Sequence, residues 1–91
     1  MEIIWSEPSL ERLEEIGHFI AKDSPLKARN FIDKLISAVE RLQDFPLSGG
    51  FVPENTAFRQ IVIQGYRIIY RPQDKRIEII TVISPGLGEK F

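Results

Sequence analysis

The stretch Phe58-Arg59-Gln60-Ile61-Val62-Ile63-Gln64-Gly65-Tyr66-Arg67-Ile68-Ile69-Tyr70-Arg71 decides the fold. β-Branched and aromatic residues dominate both sides of Gln64-Gly65, as suits strands on a half-buried sheet. A two-residue connection ending in Gly is a common link between antiparallel neighbours, so Ile63 is predicted opposite Tyr66. A second connection, Pro72-Gln73-Asp74-Lys75, leads into a third strand over Arg76–Ile83 and predicts Arg71 opposite Arg76. Register then decides which side chains share a face. One face collects Ile61, Ile63, Tyr66, Ile68, Tyr70, Ile77, Ile79 and Ile83, together with Arg59. The other collects Gln60, Arg67, Arg71, Arg76 and Glu78 among Val62, Ile69, Ile80 and Val82. A three-residue first turn would instead flip the second strand and bring Arg59 onto the cationic face.

Upstream of this sheet, apolar spacing changes from two to three and four. Glu2-Ile3-Ile4-Trp5 reads as an opening strand, with Trp5 as a core anchor. Ser6 caps a first helix with Pro8 in its first turn, and Leu10, Leu13, Ile16 and Ile20 form its apolar stripe. Glu11, Glu14 and Glu15 form a solvated face, and His18 is expected at the surface or boundary. Ser24-Pro25 restarts the pattern. A second helix presents Ala28, Phe31, Leu35, Ala38 and Leu42, widened by Ile32 and Val39, and ends at Phe45-Pro46. Residues 46–55 read as a loop. The expectation is one α+β domain over residues 1–91, β-α-α-β-β-β, with a helical hairpin on a mostly antiparallel four-stranded sheet.

Composition removes several function classes. The 91 residues contain no Cys, which excludes disulfide staples and thiolate zinc sites. Twelve Lys and Arg against thirteen Asp and Glu give a net charge of −1, which argues against a broadly basic nucleic-acid binder. Apolar runs reach only three residues, far short of the about 20 that a membrane span needs. The acidic start lacks the features of a signal peptide, which points to a soluble cytoplasmic protein. There is a single His, no metal-ligand spacing and no Gly-rich phosphate loop, so catalytic residues, metals and cofactors are expected to be none. Four of the seven arginines, Arg59, Arg67, Arg71 and Arg76, fall in the sheet. Guanidinium forks bind carboxylates or phosphates, so these four, with Tyr70 as an apolar neighbour, are the candidate contact residues. Cross-strand pairing with Glu78 is the alternative use of their charge.

The order of elements and three stretches resemble the RelE/ParE superfamily of bacterial toxins. The stretches are Ile3-Ile4-Trp5-Ser6-Glu7-Pro8-Ser9-Leu10-Glu11-Arg12-Leu13, Phe45-Pro46-Leu47-Ser48-Gly49 and Tyr66-Arg67-Ile68-Ile69-Tyr70-Arg71. The pattern is closer to ParE than to RelE. The resemblance implies the toxin of a type II toxin–antitoxin pair, a plasmid stabilisation protein held in check by a cognate antitoxin. A ParE-like member inhibits DNA gyrase by protein–protein contact, without a hydrolytic site. A RelE-like member is a metal-independent endoribonuclease acting on ribosome-bound messenger RNA. The assembly implied is a homodimer or a toxin–antitoxin hetero-oligomer. The chain departs from the family at Leu47 and Gly50, where basic residues are frequent, and over Ser84-Pro85-Gly86-Leu87-Gly88, where His, Arg or other basic residues are common. These departures add a third reading, a detoxified member that only binds antitoxin.

Overall fold

The computed structural model describes residues 1–86. Strand β1 (Glu2–Trp5) is followed by helices α1 (Glu7–Ala21) and α2 (Pro25–Glu40) and a 3-10 turn over Arg41–Gln43. Strands β2 (Gly50–Val52), β3 (Asn55–Ile63), β4 (Tyr66–Pro72) and β5 (Arg76–Ile83) complete the order. They form one sheet, β1-β5-β4-β3-β2, in which β1 lies parallel to β5 and every other neighbour is antiparallel. The α+β architecture is as expected, but the sheet has five strands, not four. Strand β2 falls in the stretch read as a loop. Three residues led by a glycine are too short to show a period, and β2 pairs only through contacts with β3, broken by a bulge between Phe51 and Val52.

Both helices start as the sequence dictates. The Ser24 hydroxyl accepts from the Lys27 amide at 3.2 Å and Pro25 occupies the first turn of α2. Removing that acceptor leaves one more orphan amide at the helix start. Ser24→Ala is accordingly expected to cost about 1 kcal/mol, read as a lower urea midpoint at unchanged slope. Ser6 serves two elements at once. Its hydroxyl accepts from the Ser9 amide at 3.2 Å and donates to the Ile80 carbonyl at 2.9 Å, while its amide bonds the Ile79 carbonyl at 3.0 Å. The start of α1 is thereby fixed to β5.

The hairpin between β3 and β4 has Ile63 opposite Tyr66, with Gln64 at φ 50° and Gly65 at φ 84°. Positive φ at both central residues is the primed turn whose twist matches the flanking strands. The β4–β5 register differs from expectation. Arg71 lies opposite Glu78 and Pro72 opposite Ile77, which replaces a like-charge pair by an ion pair of 3.1 Å. A bulge then follows, since Tyr70 faces Ile79 while Ile69 faces Thr81. Ile80 is the extra residue. Beyond it the faces exchange, so Val82 joins the core under the helices and Ile83 joins Val52 and Ile69 on the far side.

The main core packs Ile16, Phe31, Leu35, Val39 and Leu42 against Ile68, Tyr70, Ile77, Ile79 and Val82, with Trp5 partly buried against it. Leu10 is half exposed instead of buried. The inward stripe of α1 begins one residue earlier, at Ser9, whose hydroxyl is satisfied by the Ser6 carbonyl at 2.7 Å. On α2 it is Val39 that is fully buried, with Ala38 at the boundary. No helix among the described residues is long and apolar enough to cross a membrane.

Candidate binding surface

The candidate residues divide between two faces of the sheet. Arg59 and Tyr70 are cross-strand partners and point toward the helices, as the two-residue turn requires. There they hold the segment that follows the 3-10 turn. The Tyr70 hydroxyl donates to the Pro46 carbonyl at 2.9 Å and accepts from the Gly49 amide at 3.0 Å. Arg59 donates from Nη1 to the carbonyls of Gly49, at 2.7 Å, and Leu47, at 3.2 Å. Its guanidinium also lies 4.4 Å from the centre of the Phe51 ring, a cation–π contact. Burial raises the Tyr70 phenol above its ordinary 10.0, partly offset by the Gly49 amide and the Arg59 charge.

Tyr70 is fully buried, which removes it from the contact surface the sequence suggested. Alternation placed it on an apolar face correctly, but α2 and the 46–49 segment close over that position. The motif Phe45-Pro46-Leu47-Ser48-Gly49 is thus a clamped turn. A Cβ on Gly49 would stand 2.5 Å from the Gln60 carbonyl oxygen and 2.7 Å from the Tyr70 hydroxyl, which explains the glycine by space. The clamp leaves Phe45, Leu47 and Phe51 largely exposed around it.

Arg67, Arg71 and Arg76 occupy the other face. Arg67 forms a two-toothed pair with Glu54, at 2.9 and 3.0 Å, while its Nε donates to Gln60 at 2.7 Å. Arg71 pairs with Glu78. Arg76 donates to the Gln73 side chain at 2.8 Å. Between them lies a small apolar cluster of Val52, Ile69 and Ile83, with Phe58 and Ile80 packed against it. Three guanidiniums therefore meet two carboxylates, where the sequence reading counted only Glu78. Glu54 carries no pattern in the sequence because a chain reversal alone brings it to Arg67. Arg12 was also missed. It reaches from α1 to the Val82 carbonyl at 3.1 Å and the Ser84 hydroxyl at 3.2 Å, tying the helix to the end of β5.

His18 is exposed on α1, as expected, and the acidic residues Glu11, Glu14 and Glu15 are exposed too. Among the described residues, no group of three or more His, Cys, Asp or Glu converges as a metal site. Of the departures at the C-terminal end, Ser84, Pro85 and Gly86 are described, whereas Leu87 and Gly88 lie outside the described residues.

A helical hairpin on one face of a β1-β5-β4-β3-β2 sheet, with paired arginines on the other, places the chain in the RelE/ParE class of small toxin folds. Its family is more specific. The model for the ParE toxin of type II toxin–antitoxin systems, parDE, matches residues 3–85, and the chain belongs to that family. It is 35% identical over 85 residues to the Sinorhizobium fredii protein named "Putative toxin Y4kP", covering 89% of this chain and 84% of the relative. A solved structure of the chromosomal ParDE TA system from P. aeruginosa shares its fold, with a TM-score of 0.79. That match covers 93% of this chain and 96% of the other at 21% identity.

Proposed function

We propose that the protein is the toxin of a parDE-type pair, that it blocks DNA gyrase by protein–protein contact, and that a cognate antitoxin neutralises it in the cytoplasm, within a toxin–antitoxin hetero-oligomer that serves plasmid stabilisation. Membership of the ParE family supports the toxin role. The observation that carries the choice of target is how the arginines are used. A metal-independent ribonuclease must surround a phosphate with available cations and supply an acid and a base to the reacting oxygens. Here both Arg67 teeth rest on Glu54, Arg59 is held by two carbonyls, and Arg71 rests on Glu78. His18 lies on α1, on the helix side of the sheet. These groups are spent on the fold, and what remains outward is side-chain surface for a macromolecular contact.

The test is supercoiling of a relaxed plasmid by purified gyrase with increasing amounts of this protein. Dose-dependent loss of supercoiling with trapped cleaved DNA is expected. Full gyrase activity at a large molar excess of folded protein overturns the proposed target.

A further inference from the structure

Both helices pack on one face of the sheet, and no described helix or strand lies over the other. The centre of that other face is nevertheless closed to solvent. Ile69 and Val52 are 0% exposed and Ile83 is 7% exposed, as low as the residues beneath α1 and α2. An antiparallel sheet covered on one side normally keeps its second side wet, so burial this deep calls for a cover. The cover is graded along the strands. Arg67, opposite Ile83, is 21% exposed in its pair with Glu54, whereas Arg71, further along β4, is 46% exposed in its pair with Glu78. Shielding therefore deepens toward the point where the chain leaves β5.

The path of the chain beyond that point identifies the occupant. Pro85 packs against the β3–β4 turn, where a Cβ on Gly65 would stand 3.0 Å from the proline Cβ. Gly86 then takes φ 76°, the left-handed conformation of a chain reversal. Residues 87–91, Leu87-Gly88-Glu89-Lys90-Phe91, follow and lie outside the described residues. A segment of that length, extended, reaches about 17 Å. Ile69 stands only about 10 Å along β4 from Tyr66, so the apolar cluster is within its reach. The segment also has the right alternation. An extended chain sets alternate residues on one side, which groups Leu87 and Phe91 with Glu89 between them. A second copy of the chain fits less well. Among the described residues each arginine face carries Arg67, Arg71 and Arg76 against Glu54 and Glu78, and two such faces repel.

We propose that residues 87–91 fold back as a strap over the arginine face of their own chain, with Leu87 against Ile83, Phe91 against Ile69 and Phe58, and Glu89 toward Arg67. The face is then closed by default, and a macromolecule that uses its arginines must first displace the strap, which lowers its apparent affinity by the fraction of open molecules. The test is NMR on isotopically labelled full-length protein. Cross-peaks are expected between the Phe91 ring protons and the methyl groups of Ile69 and Val52, unchanged on dilution. The double variant Leu87→Ser with Phe91→Ser is expected to lose this cover. Its Ile69 methyls should become accessible to a soluble gadolinium chelate, while those of Leu35, beneath α2, stay protected. Any of four results would overturn the strap. Cross-peaks from Phe91 to Ile16 or Phe19 would lay the segment along α1 instead. Cross-peaks seen only between labelled and unlabelled copies would make the cover a second copy. Absence of cross-peaks to the cluster would leave the segment off the face, and equal protection of Ile69 in the variant would assign the cover to neighbouring side chains. Gyrase inhibition enters none of these readouts, so the strap and the proposed target stand or fall separately.

Discussion

Tyr70→Ala is expected to bring the protein to the edge of unfolding at 37 °C. The ring is fully buried within the core under α2, and truncating a buried aromatic to Ala costs about 3–5 kcal/mol. The hydroxyl adds to this, because the Pro46 carbonyl and the Gly49 amide each lose their partner. An orphaned buried polar group costs about 1–3 kcal/mol. A domain of this size has only about 5–14 kcal/mol in total. Tyr70→Phe separates the two contributions. It keeps the ring and is expected to cost about 2 kcal/mol, or about 8–16 °C in melting temperature. The parent should also be alkali-sensitive through this residue. Its phenol is raised in the folded state, chiefly by burial, so between 10.0 and the folded value the native protein holds a proton that the unfolded chain has released. Stability contributed this way is complete below pH 10 and declines as pH rises through the folded value. Tyr70→Phe is expected to flatten that decline in urea titrations from pH 9 to 11. An equally steep decline in the variant would place its origin elsewhere.

Tyr70 also shows how far sequence reasoning reaches in this chain. The pattern around Gln64-Gly65 places Tyr70 beside Arg59 and opposite the cationic set, because a two-residue primed turn fixes register and register fixes faces. The helices are legible for a similar reason, since Ser6, Ser24 and Pro25 act on backbone groups within one turn. Features set by distant parts of the chain are not. Ile80 becomes a bulge because Arg71 pairs across to Glu78 while the upper half of β5 stays registered on β4, a compromise between two segments that a single-strand pattern cannot express. Strand β2 is defined by its pairing with β3, where Phe51 faces Arg59 and lies against its guanidinium, and Arg67 is neutralised because the β2–β3 turn delivers Glu54. The arginine cluster was therefore legible as a cluster, but its use was not. A local cationic run acquires its meaning from partners that arrive through tertiary structure.

Gly49→Ala should produce the largest effect of any single-carbon change near this surface, a loss of about 3 kcal/mol in urea or thermal denaturation. The reason is space alone. The new methyl would meet the Gln60 carbonyl oxygen at 2.5 Å and the edge of Tyr70 at 2.7–2.8 Å. Neither neighbour yields cheaply. Gln60 lies in β3, paired on one side with Ile69 and on the other with Gly50, and Tyr70 is held by its two hydroxyl bonds. The least costly response is for the 46–49 segment to lift, which breaks the Gly49 and Leu47 contacts with Arg59 as well. Combining the substitution with Tyr70→Phe tests this mechanism. Removing the hydroxyl relieves one contact and leaves the Gln60 oxygen in place, so Gly49→Ala should cost about 2 kcal/mol in that background, a coupling of about 1 kcal/mol. Full rescue would identify the hydroxyl as the sole barrier, and strict additivity would mean that the turn and Tyr70 do not act as one unit. The coupled outcome carries a further consequence for function. Phe45, Leu47 and Phe51 are presented around a turn whose position is fixed by hydrogen bonds to Tyr70 and Arg59, so a partner meets them without first having to order the loop. Lifting the turn adds that ordering cost to any contact it makes, and Gly49→Ala would then weaken binding at this surface even where no contacting side chain has changed.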